Sequence, residues 1–254
     1  MRLKLIISLF ILMYSMLFPA NFEFAFGVGA GATTEFSYVL DREESFFSSG
    51  DRVDSGLSVT AFLDIGANFE LPNGGVLSSV SVLFETGYNH YMRIRTLYKE
   101  YPEMAKHRFF YHSLILGILP KLNFDYGISL GIGAGIFLPL YSTGKHKGSN
   151  TIWGEEITTG LGKYLGINRF NFEKISYMYK VPIMPYIKLN LEKNFYISDS
   201  WAFKIGANLL YNFGMEFDMD KLGEGVAKNY AWDKYKFSSL VFELFFGFGF
   251  GRPK

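Results

Sequence analysis

Covalent and metal chemistry need a nucleophile, an acid–base pair or a ligand set, and this sequence is sparing with all three. It has 254 residues, no cysteine and four histidines, His90, His107, His112 and His146. Without cysteine there are no disulfides, thiolate metal sites, cysteine nucleophiles or lipid-anchoring thiols. His112 and Ser113 are adjacent, but neighbours on a strand face opposite ways, and a triad needs convergent side chains. Glu216, Asp218 and Asp220 lack the spacing and the glycine of a Ca²⁺ loop. Gly27-x-Gly29-x-Gly31 opens no helix, so it is no dinucleotide fingerprint. We therefore expect no enzyme activity, no cofactor and no bound metal. A net charge of +1 gives no sign of a nucleic-acid partner. What remains is ionic chemistry. Isolated charges, among them Glu23, Asp64, Glu85, Lys121, Lys180, Lys188, Lys204 and Glu243, punctuate largely uncharged runs. Asp64, Glu85, Lys188, Lys204 and Glu243 fall opposite the main apolar stripe of their segments. An unpaired charge in a confined space is costly. These five are expected to form one network of opposite charges, with Glu243 beside Lys204.

The elements that would position them follow from hydrophobic periodicity. Helical spacing is almost absent, whereas strict alternation recurs, the signature of strands with two different faces. From Leu57 the apolar set is Leu57, Val59, Ala61, Leu63, Ile65, Ala67 and Phe69. From Trp201 it is Trp201, Phe203, Ile205, Ala207, Leu209, Tyr211 and Phe213. Eight such segments lie at about 22–34, 57–70, 76–89, 110–122, 127–141, 179–192, 201–214 and 237–250. They are longer than the five or six residues of an ordinary strand, and long enough to cross a bilayer at a tilt. Short turns (71–75, 123–126 and 193–200) alternate with long connections (35–56, 90–109, 142–178 and 215–236). That order makes an all-β, eight-stranded, antiparallel up-and-down barrel, with the long loops at one end and both termini at the other.

A soluble ligand-binding barrel also alternates, with its apolar face inward. It must then charge its exterior, and the less apolar face here is mostly Gly, Ser, Ala and Asn. Such small residues suit a narrow lumen better than a wet surface. Aromatics gather near both segment ends, as in the interfacial girdles of membrane barrels. The last segment, Leu240, Phe242, Leu244, Phe246, Phe248 and Phe250 with Gly247, Gly249 and Gly251 interleaved, resembles the closing strand of small eight-stranded outer-membrane barrels of diderm bacteria. These include the OmpA transmembrane domain, OmpX and OmpW kinds. The resemblance implies a transmembrane barrel in the bacterial outer membrane, in contact with its lipid and inserted by the barrel-assembly machinery. Here Arg252, Pro253 and Lys254 follow the last aromatic, where such strands usually end in Phe. Eight strands leave an interior about wide enough for side chains to fill, so a large aqueous pore is not expected. Glycines such as Gly27, Gly29, Gly31, Gly131, Gly133 and Gly135 fit a tight lumen where larger neighbours need room, or ease strand curvature.

Residues 1–20 carry Arg2 and Lys4 before an apolar run from Leu5 to Phe18. That run is too short to span a bilayer as a helix and fits a secretory signal peptide ending at Ala20. Residues 21–254 then form the barrel, with periplasmic termini. The expected role is structural or adhesive, through an extracellular ligand on the four long loops. The alternatives are a narrow channel for small or hydrophobic solutes of the OmpW kind and, more remotely, a lipid-modifying enzyme.

Overall fold

The computed structural model describes residues 20–39, 52–71, 75–96, 106–147, 169–216, 218 and 235–251. Residues 1–19, most of the expected signal peptide, the loop tips and residues 252–254 lie outside the described residues. Within them the strands are β1 (Ala20–Val39), β2 (Arg52–Glu70), β3 (Leu77–Thr96), β4 (Lys106–Phe124) and β5 (Ile128–Lys147). A short β6 (Arg169–Asn171) and helix α1 (Phe172–Met178) precede β7 (Met184–Tyr196), β8 (Trp201–Asn212) and β9 (Tyr235–Phe250). Eight of these strands close on themselves. The order β4-β3-β2-β1-β9-β8-β7-β5 returns to β4 through the β4–β5 ladder, and every pairing is antiparallel. The seam lies between the terminal strands, where Phe24 pairs with Phe250 and Val39 with Tyr235.

Register sets the barrel's shape. Starting at Phe24, successive ladder partners are Ile65, Phe84, Ile118, Ala134, Ile187, Tyr211 and Leu240, and the last of these returns to β1 at Thr34. A stagger of that size in eight strands tilts them by roughly 40° and leaves a lumen filled by side chains. The inside–outside assignment follows the alternation read from the sequence. Leu57, Ile132, Leu189, Phe242 and Leu244 lie outside and exposed, while Asn68, Ser81, Asn123, Lys121 and Glu243 are buried within.

The boundaries differ from the sequence reading in an informative way. On the long-loop side β1, β3 and β5 run on to Val39, Thr96 and Lys147, and β2 and β4 start as early as Arg52 and Lys106. Ladder hydrogen bonds persist in water after the lipid-facing alternation has stopped, so hydrophobicity marks the membrane band and not the strand end. The long connections are correspondingly shorter than 35–56 and 90–109. The 142–178 connection holds β6 and α1, and Lys180 lies outside β7, ion-paired with Glu216 at 2.5 Å.

Candidate functional site: the lumen

At the short-turn end, four charges from four strands form a closed alternating ring. Lys121 Nζ (β4) lies 3.2 Å from Glu192 Oε1 (β7) and 3.8 Å from Glu23 Oε1 (β1). Lys204 Nζ (β8) repeats both distances to the same two carboxylates. Lys121 is 1% exposed. Ser81 donates to Glu23 at 2.5 Å. Below the ring the side-chain amides of Asn68 and Asn123 both donate to Ser79 and Ser81. Charges withdrawn this far from water are tolerable because each has opposite charges on two sides.

A second layer is built on Glu85, which accepts from Tyr186 at 2.7 Å and is ion-paired with Lys188. Asp64 sits directly across the ladder from Glu85. Its Oδ1 has no hydrogen-bond partner and it lines the remaining cavity. Glu243 belongs to a third group. It accepts from Thr60 at 2.6 Å and Asn208 at 3.2 Å, while Asn89 donates to Thr60 and Ser58. Toward the loops the lumen turns apolar. Ile115, Phe137, Leu210 and Val241 pack with Tyr91, Tyr111, Tyr179 and Met184. Helix α1 lays Ile175, 1% exposed, into this cluster.

Glycine placement makes this filling possible. Seven lumen charges have an inward glycine directly across one ladder, Asp64 being the exception: Glu23 faces Gly66, Lys121 faces Gly131, Glu85 faces Gly117 and Lys188 faces Gly133. Glu192, Lys204 and Glu243 face Gly206, Gly247 and Gly31. A Cβ at Gly29 would come within 2.6 Å of Glu243 Oε1, and one at Gly117 within 2.4 Å of the Tyr186 hydroxyl. A cavity of about 30 Å³ lies among Asp64, Glu85, Lys188 and Glu243, room for the centres of about two water molecules.

The five residues expected to form one network are all inward and buried, but they divide. Glu85 and Lys188 pair, and Asp64 adjoins them. Lys204 belongs to the ring and not to Glu243, because its partner on β9 is Gly247 while Glu243 lies opposite Asn208. Alternation gives the face of a charge but not its height, and two layers separate these two. The ring members Glu23, Lys121 and Glu192 were not in the expected network. Their inward parity was readable, but each lies near a segment end, where the assignment of a face is weakest. His112 and Ser113 diverge as expected: Ser113 is 0% exposed inside, while His112 stacks on Tyr141 outside.

A polar, ion-paired interior inside an apolar exterior inverts the order of a soluble protein. The chain is a membrane-spanning β-barrel. No protein-family model and no curated protein matches it. Among solved structures it is similar to the Neisserial surface protein A (9% identity, 89% of this chain and 97% of that one, TM-score 0.38). It is also similar to OprG from Pseudomonas aeruginosa (9%, 93% and 98%, TM-score 0.33) and Ail of Yersinia pestis (11%, 89% and 98%, TM-score 0.35). The closed barrel rests on the strand ladders described above and not on these likenesses.

Proposed function

We propose that this chain is a bacterial outer-membrane protein whose barrel is a rigid platform for surface loops. Residues 1–20 direct export, the termini face the periplasm, and the long connections face outward, where they bind an extracellular ligand. The barrel-assembly machinery inserts it, and outer-membrane lipid surrounds it. The proposed role is non-enzymatic, a reading supported by His112 and Ser113 facing opposite sides of the wall, where they cannot act as a pair. One observation carries this reading: the lumen is crossed by the charged ring at one end and the apolar cluster under α1 at the other, with a cavity of about 30 Å³ between them. A path for ions would have to break several buried ion pairs, whereas loops on a rigid scaffold need nothing from the lumen.

The test is single-channel recording of the refolded barrel in a planar bilayer, beside a Lys188→Glu/Lys204→Glu variant. No steady current is expected from the parent protein. Steady openings whose ion preference shifts in the variant would sink the platform reading and favour the narrow channel. That second reading draws on the wall beside β5, where the β7 ladder ends at Phe137 and β6 takes over only at Tyr141. An apolar solute could leave sideways there without carrying current, so uptake of a radiolabelled apolar solute into vesicles completes the comparison.

A further inference from the structure

All four histidines of the chain fall into directly opposed cross-strand pairs, His90 with His112 between β3 and β4, and His107 with His146 between β4 and β5. The first pair stands on the outer wall at the loop-side edge of the apolar band. There His112 also lies opposite Tyr141 of β5. The two Nδ1 atoms are 3.4 Å apart. The Tyr88 hydroxyl, one step nearer the membrane centre on the same face, hydrogen-bonds to His112 Nδ1. Neither ring is free to swing. His112 stacks on Tyr141 with centroids 3.9 Å apart and planes at 12°, and His90 stacks on Phe110 at 5.7 Å and 16°. Two imidazole nitrogens therefore face one another, held there by aromatic neighbours.

That separation has a chemical meaning. Two nitrogens bound at about 2.0–2.1 Å to one tetrahedral ion lie roughly 3.3–3.4 Å apart by simple trigonometry. The same distance also suits one ring donating a hydrogen bond to the other, an arrangement that an ion would displace. We propose that His90 and His112 bind one divalent, nitrogen-preferring transition ion at the outer membrane interface. Two further positions are open to water, and the Tyr88 hydroxyl, now hydrogen-bonded to His112 Nδ1, gives up that bond when the ion enters. Both imidazoles would carry their proton on Nε2 and turn their Nδ1 lone pairs to the ion. The tetrahedral spacing fits Zn²⁺, and Cu²⁺, placed above it by the general affinity order, serves as the spectroscopic probe. None of these side chains belongs to the lumen, so the site stands or falls independently of the platform reading.

The test uses the refolded barrel in detergent with His107→Asn/His146→Asn as background, leaving one histidine pair. Titration with CuCl₂ followed by electron paramagnetic resonance should give one Cu²⁺ per chain, with hyperfine structure from two nitrogens. Replacing His112 or His90 by Asn should weaken binding by about 100-fold and erase the two-nitrogen signature, whereas Tyr88→Phe, which removes a competitor for the His112 lone pair, should not weaken it. No stoichiometric signal in the background protein overturns the proposal, as does one that survives His112→Asn unchanged. Should the Asn variants not refold, diethyl pyrocarbonate labelling of the unaltered chain decides: Zn²⁺ should protect His90 and His112, and full labelling in its presence refutes the site.

Discussion

At the scale of single residues, the charged ring defines what the lumen tolerates. Glu23, Lys121, Glu192 and Lys204 are all buried, so removing one cation leaves two carboxylates facing a single lysine. Replacing Lys121 with Met should destabilise the barrel by about 3–5 kcal/mol, the scale for breaking one half of a buried pair. Adding Glu192→Gln to Lys121→Met should recover part of that loss, because the two side chains touch and their effects are not additive. Urea unfolding in lipid vesicles, run as a double-mutant cycle, measures both. Additive losses would mean that water, not the opposite charge, compensates these groups. Which charges sit on the inner face was readable from parity. Which of them meet was not, because partners such as Lys121 and Glu192 are 71 residues apart in the chain and belong to strands that are not ladder neighbours.

At the scale of elements, two features position the lumen groups. Inward glycines lie across the ladder from the charges, and α1 lies over the loop-side opening. The glycines are expected to act through space and not through backbone freedom. A side chain at Gly29 would collide with Glu243, whereas one at Gly75, in the β2–β3 turn, would meet nothing within 4 Å. Gly29→Val should therefore cost about 1–3 kcal/mol by overpacking, and Gly75→Ala should stay within roughly 0.5 kcal/mol. The readout is the temperature at which the folded band is lost in a gel-shift assay. Equal losses at both positions would point to strand curvature as the reason for the glycines. Alternation in the sequence located the eight long strands, but missed their extension beyond the apolar band. It also missed α1, a seven-residue helix inside a connection and too short to show a helical period.

At the scale of the whole molecule, the barrel must match a hydrocarbon layer. Leu244 is 59% exposed near the middle of the outer band, and Phe22 is similarly exposed at its short-turn rim. Leu244→Arg should destabilise the barrel in vesicles by about 2–4 kcal/mol and Phe22→Arg by about 1 kcal/mol or less, following depth. Unfolding free energies in bilayers would show this gradient, and equal costs would displace the band from where the apolar exposure puts it. The sequence alone determined the class of this protein. Long period-two segments, small residues on one face and alternating short and long connections admit one closed antiparallel solution, because backbone groups in lipid must all be paired. Tertiary structure alone decided the register and hence the stagger, which set the height of each charge. That height is why Lys204 joins Glu23 and Glu192 and not Glu243, and why His90 meets His112. Pairing in a sheet depends on a partner strand's position, and a one-residue change in register would move every such contact to the other face.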